Sequence, residues 1–133
     1  MRLTKKSGYG LIALLELAKI PLSTPLSAGA IAEKYALPSP FLEKILHQLK
    51  EAGLVTTQKG RGGGYTLAVD PETVSIRRVL QALDESLDLV DCLGPVPECK
   101  LAEVCPVRTA WEKLGQGVQA LFDSLSLRDL LEG

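Results

Sequence analysis

Ser39–Val69 reads SPFLEKILHQLKEAGLVTTQKGRGGGYTLAV, and it divides at Gly53. Before the glycine, Leu42, Ile45, Leu46 and Leu49 fall at steps of three, one and three, one stripe of an amphipathic helix. Ser39 is the expected N-cap, with Pro40 at the first helical position, where a missing N–H costs nothing. The opposite face carries Glu43, Lys44, His47, Gln48 and Lys50, and Gly53 is placed to end the helix in a left-handed conformation. After Gly53, LVTTQK and YTLAV favour β structure on either side of a glycine-rich turn, which predicts a hairpin.

Upstream, Ser27 is placed to cap AGAIAEKYA, with Ile31 and Tyr35 on one face and Leu37-Pro38 as the break. Two short helices joined by a tight turn have helix-turn-helix form, and a hairpin directly after them is a wing. The predicted fold is mainly α with a small β-hairpin wing: a winged helix-turn-helix followed by a long C-terminal helix. Thr4 is the expected cap of a first helix running from Lys5 to about Ile20 and stopped by Pro21. Downstream, Ser75 is placed to cap IRRVLQALDE, with Ile76, Val79, Leu80 and Leu83 on its apolar face. After Pro106, apolar residues recur at Val107, Trp111, Leu114, Val118, Leu121 and Leu125, a heptad-like seam. A last short turn, LRDLLEG, follows.

Charge divides along the same line. Residues 1–69 hold nine Lys/Arg and four Asp/Glu, and residues 70–133 hold six and twelve, within an overall net charge of −1. A basic first half suits a polyanionic partner. Double-stranded DNA is the partner that a winged helix reads, with side chains of the second helix at base edges in the major groove. Ser39, Phe41, Glu43, Lys44, His47 and Gln48 are the candidates there. Glu43 would restrict sequence rather than add affinity, since a carboxylate repels phosphate and accepts only from a donor such as cytosine N4. Lys59, Gly60, Arg61 and Gly62 at the wing tip, and Arg2 and Lys5 at the first helix, are the expected backbone contacts. No stretch is long and apolar enough for a membrane span, and the basic N-terminus runs into Glu16 and Lys19 instead of an uninterrupted apolar core. The expectation is a cytoplasmic protein with no membrane partner. No nucleophile–base pairing and no phosphate loop beyond the wing glycines is present, so no enzyme is expected.

All three cysteines lie in Asp91–Pro106, DCLGPVPECKLAEVCP, at Cys92, Cys99 and Cys105. An odd number of cysteines argues for reduced thiols available to metal over a disulfide framework. The spacing fits zinc knuckles poorly and suits an irregular loop around a larger inorganic core. Zinc, copper(I) and iron–sulfur clusters are the thiolate-bound groups to consider, and three thiolates leave at least one ligand position of such a core to be filled from elsewhere. Zinc, or no metal, is the alternative.

The opening MRLT…YG…AL, the segment FLEKILHQLKEAGLV, the wing KGRGGGYTLA, the DES-x-D-L run and the three-cysteine loop together resemble the Rrf-two family of winged-helix transcription regulators, most closely its IscR-type iron–sulfur regulators. The match covers almost the whole chain. It implies a homodimer on a palindromic operator, with the seam from Val107 to Leu125 as the dimerisation helix. It also implies an iron–sulfur cluster, 2Fe–2S ahead of 4Fe–4S and with its fourth ligand unassigned, that tunes DNA binding as a sensor of cluster or redox status. The corresponding division is 1–90 winged helix-turn-helix, 91–106 cluster loop, and 107–133 dimerisation helix and C-terminal turn. Two departures stand out. IscR-type members usually space the first two cysteines one residue closer and carry a histidine just beyond the third, where this chain has Val107-Arg108. An arginine offers no lone pair to iron. The related NsrR type, which senses nitric oxide, uses an acidic residue near the partner's N-terminus, where this chain has Gly8. Asp91, Glu98, Glu103, or Ser7 of the partner are the remaining oxygen donors. Nitric oxide or oxygen therefore stands as an alternative signal.

Overall fold

The leucine stripe of the quoted segment forms the centre of the molecule. In a computed structural model, which describes residues 2–60, 62–90, 93 and 104–133, Leu42, Ile45, Leu46 and Leu49 are all fully buried. They belong to α3 (Ser39–Glu51). Around them pack α1 (Lys5–Ala18), α2 (Ala28–Tyr35) and α4 (Ile76–Ala82). The strands β1 (Val55–Gln58) and β2 (Gly64–Leu67) pair antiparallel, Val55 opposite Leu67 and Gln58 opposite Gly64. A 3-10 turn (Pro71–Thr73) leads into α4, and α5 (Arg108–Ser124) and α6 (Leu127–Glu132) follow. The mainly helical winged-helix form expected from the sequence is the form observed.

Local chemistry explains the boundaries. Ser27 accepts from Ala30 N and starts α2, and Ser75 accepts from Arg78 N and starts α4, both as expected. Gly53 has φ 80°, its N–H meets Lys50 O at 3.0 Å, and Leu54 N meets Leu49 O at 2.9 Å. That pair of bonds closes α3 and turns the chain into β1. Gly64 is required for a different reason. A Cβ there would lie 2.4 Å from Leu26 O, because Leu26 runs against the hairpin and exchanges backbone hydrogen bonds with Tyr65 in an isolated β-bridge.

Several sequence expectations need correction. Thr4 makes no side-chain cap; its hydroxyl bonds the Glu85 carboxylate instead, tying the start of α1 to the turn after α4. The first helix ends at Ala18, before the expected Ile20, with Lys19 as its C-cap. Ser39 does not cap α3: it is the first helical residue, Pro38 occupies the cap position, and Pro40 is displaced by one. Tyr35 does not share the buried face of Ile31. It is 38% exposed, and its hydroxyl reaches Glu16. The helix after Ser75 stops at Ala82; Asp84 takes φ 57° in the turn that follows.

The C-terminal segment returns to the core. Ile76 N bonds Leu125 O at 2.8 Å and Leu127 N bonds Val74 O at 3.0 Å. Leu127 is fully buried among the side chains of the winged helix. Ser126 and Asp129 form a capping box that starts α6. Arg77 joins α4 to α5 through Asp123 at 3.2 Å and Gln119 at 3.1 Å.

Candidate nucleic-acid interface

With one side of α3 committed to the core, its opposite side faces solvent. Pro40, Glu43, Lys44, His47 and Gln48 line one open groove of about 560 Å³. Glu43, Lys44 and His47 are exposed, whereas Ser39 and Gln48 are half-buried. Gln48 Nε2 lies 3.4 Å from the Asp84 carboxylate, so the turn after α4 already engages it. Phe41 packs edge-on to Tyr9 of α1, ring centroids 5.7 Å apart at 78°, and keeps 36% of its surface exposed at the margin of this face. His47 Nε2 lies 2.9 Å from Glu51 Oε1, one helical turn on. Glu51 was not among the candidate residues, although its i,i+4 spacing from His47 is visible in the sequence.

The wing projects Lys59, Gly60 and Gly62 into solvent. Gly60 and Gly62 take φ 101° and 76°, and Gly63 N closes the turn on Gly60 O at 3.0 Å. Arg61 lies outside the described residues. Arg2 and Lys5 are exposed at the start of α1. The backbone N–H of Thr4 there is met by Glu85 Oε2 at 3.4 Å, a carboxylate that the sequence did not place at this helix end.

Of the cysteine segment, Cys105 is described: it is half-buried, its thiol is free, and it stands three residues before α5. Cys92 and Cys99, with Asp91, Glu98 and Glu103, lie outside the described residues. Among the described residues, no three His, Cys, Asp or Glu side chains converge on a metal site. Ser7 is only 3% exposed, buried within its own chain, which argues against its hydroxyl as a donor to a partner's metal. Arg108 Nε is held by Glu112 at 3.1 Å.

Much of the apolar seam is exposed among the described residues. Trp111, Leu114 and Leu121 of α5 are 36%, 55% and 68% exposed, and Val118 is half-buried. Val107 and Leu125 flank the helix at its two caps, both exposed. Among the described residues, no helix is long and apolar enough to cross a membrane.

The Rrf2 model, described as iron-dependent transcriptional regulator, matches residues 3–133. The chain belongs to the Rrf2 family. Among its relatives is Synechocystis slr0846, assigned by inference to the HTH-type transcriptional regulators, 43% identical over 98% of this chain and 87% of that protein. The HTH-type transcriptional regulator IscR of Vibrio vulnificus is 33% identical over 98% of this chain and 77% of its own length. Among solved structures, the B. subtilis global cysteine regulator CymR superposes with a TM-score of 0.79 at 28% identity, covering 99% of this chain and 97% of CymR. T. potens IscR gives 0.76 at 28% identity, covering 99% and 87%. This Rrf2 chain is accordingly a winged-helix transcription regulator and not an enzyme.

Proposed function

We propose that this Rrf2 regulator is an IscR-like sensor. In this reading a homodimer grips a palindromic operator, and an iron–sulfur cluster on Cys92, Cys99 and Cys105 sets its DNA binding. The supporting observation is the location of Cys105. Its half-buried, free thiol stands at the entrance to α5, on the connection between the helix that packs against α3 and the helix that carries the exposed seam. Three thiolates on that connection are a donor set of the right softness for an iron–sulfur core. When bound, such a core supplies a redox-active and labile group. The protein's part is to hold it between the DNA reader and the dimer seam, where a change of ligation biases the spacing of two recognition helices. Cys92, Cys99 and Cys105 would be the protein ligands. The fourth stays open, because Val107-Arg108 and Gly8 remove the two donors the relatives' pattern suggests. That incompleteness keeps nitric oxide or oxygen as the alternative signal.

On DNA, Ser39, Phe41, Glu43, Lys44, His47 and Gln48 face the major groove, while Arg2, Lys5, Lys59, Gly60, Arg61 and Gly62 meet phosphate or a minor groove. The setting is the cytoplasm. Anaerobic purification followed by visible spectroscopy and iron and sulfide analysis tests the cofactor. A coloured protein bleached by dithionite, with colour lost in Cys105→Ala, supports it; a colourless protein with zinc or no metal overturns it. Affinity for duplex DNA is expected to fall steeply with salt, by about 0.9 in the log–log slope per phosphate contact.

A further inference from the structure

We infer that Asp84 is a positioning residue for base reading: its carboxylate holds the side-chain amide of Gln48, on the outer face of α3, in the orientation that pairs with adenine. The inference rests on the reading of α3 as the recognition helix. It adds a residue from outside that helix and the base that the pair selects.

The amide carries the argument. Gln48 is half-buried, and its Nε2 donates to Asp84 Oδ2 at 3.4 Å. It lines the open groove with Pro40, Glu43, Lys44 and His47. An ionised carboxylate only accepts hydrogen bonds, so the end of the amide turned toward Asp84 is its NH2 group. One of the two hydrogens there is engaged. What remains is one N–H beside one carbonyl oxygen, a donor next to an acceptor. Of the four bases, adenine alone presents the matching pair in the major groove, its N6 amine as donor and N7 as acceptor. Guanine offers two acceptors, N7 and O6, one of which would face the carbonyl oxygen. Cytosine N4 and thymine O4 each use half of the amide. An amide with no fixed partner turns about its last bond. It then meets guanine with both N–H groups or cytosine with its oxygen, and adenine loses its advantage.

The setting of Asp84 supports the same role. Its φ of 57° is left-handed, a conformation that a residue with a Cβ adopts at a cost. Two backbone bonds hold it, Asp84 N to Gln81 O at 3.1 Å and Glu85 N to Leu80 O at 2.9 Å. On one side Leu83 is fully buried. On the other, the Glu85 carboxylate accepts from the N–H and hydroxyl of Thr4. The carboxylate of Asp84 thus stands on backbone anchored at both flanks. A reading group held in this way from a second element loses less rotamer freedom when DNA binds. A carboxylate also opposes phosphate at every sequence alike, so Asp84 contributes to discrimination and not to affinity.

The test uses the full-length protein, purified anaerobically, and duplexes selected from a random-sequence pool. Wild type is expected to select adenine at one position of each half-site, and Gln48→Ala to lose that preference. At that position wild type is expected to favour adenine over guanine by about 5- to 100-fold per half-site. 7-Deazaadenine, which lacks the N7 acceptor, is expected to weaken binding by wild type and not by Gln48→Ala. Asp84→Gly suits the left-handed turn and removes the carboxylate. Its affinity for all duplexes is expected to rise, while its adenine-over-guanine ratio falls by about threefold or more. When Asp84→Gly is combined with Gln48→Ala, the ratio is expected to equal that of Gln48→Ala alone, which a merely structural role of Asp84 would not produce. A wild-type ratio in Asp84→Gly, a further fall in the double variant, or an adenine preference that survives Gln48→Ala would overturn the inference. Glu43→Ala and Lys44→Ala separate that failure from failure of the recognition helix. A selected sequence that either one alters leaves α3 standing, whereas a sequence that none of these variants alters overturns both readings.

Discussion

Glu16 is a carboxylate placed among leucines, with only 6% of its surface exposed. It survives there because three donors converge on it: the Tyr35 hydroxyl, Lys34 Nζ at 3.0 Å and Lys19 Nζ at 3.4 Å. Burial pushes its carboxyl up, and the hydrogen bonds from Tyr35, Lys34 and Lys19 outweigh that and bring it below the ordinary carboxylate value. The hydrogen bond to Glu16 likewise raises the Lys34 ammonium. A group with a depressed folded pKa contributes stability that is whole above its unfolded value of 4.5 and fades as pH falls through the folded one. Glu16→Gln is therefore expected to cost about 1–3 kcal/mol near neutral pH, with the difference from wild type shrinking in acid. Urea unfolding of both proteins at about pH 7 and about pH 3 measures it, and a difference that does not shrink would contradict the assignment. In the sequence Glu16 is an unremarkable polar residue of a first helix. Its partners at positions 34 and 35 become neighbours only when α2 folds back on α1.

Among the elements, the helix-turn-helix was legible because both its signals are local. Ser27 caps α2, and the stripe of α3 repeats within the helix. The turn between them was legible as a break and not as a conformation. Ala36 takes φ 54°, left-handed, and Leu37 N bonds back to Ala32 O at 2.8 Å. Glycine holds that position without Cβ strain. Ala36→Gly is expected to stabilise the protein by roughly 0.5–1 kcal/mol, the relieved strain less the added entropy of the unfolded chain. Thermal unfolding checks the direction, and a lowered melting temperature would rule it out. The caps at Thr4 and Ser39 misled for a common reason. A short polar side chain before a helix can bond locally or find a distant partner. Thr4 found Glu85, whereas Pro38 took the cap position ahead of Ser39.

Across the whole molecule, the last turn of chain and the long helix before it have opposite fates. Leu127 is fully buried in the core of the winged helix, so Leu127→Ala is expected to destabilise the entire fold by about 2–5 kcal/mol. Denaturant unfolding followed at Trp111 and by circular dichroism would show one shared, weakened transition; an unchanged midpoint would mean α6 is dispensable. Leu114 and Leu121 are more than half exposed on α5. If the seam joins two copies, Leu114→Glu with Leu121→Glu leaves each chain folded and yields monomers in sedimentation, whereas an unchanged dimer would place the interface elsewhere. By itself the sequence determined the helix-turn-helix, the wing, the apolar stripes and the grouping of three cysteines, because each is written in neighbouring residues or in a fixed period. Only the tertiary structure decided that Glu16 meets Lys34 and Tyr35, that Thr4 and Gln48 both reach the turn at Asp84–Glu85, and that α6 closes the core. Those contacts join positions 18 to 81 residues apart, a distance over which no local pattern carries information and packing alone selects the partner.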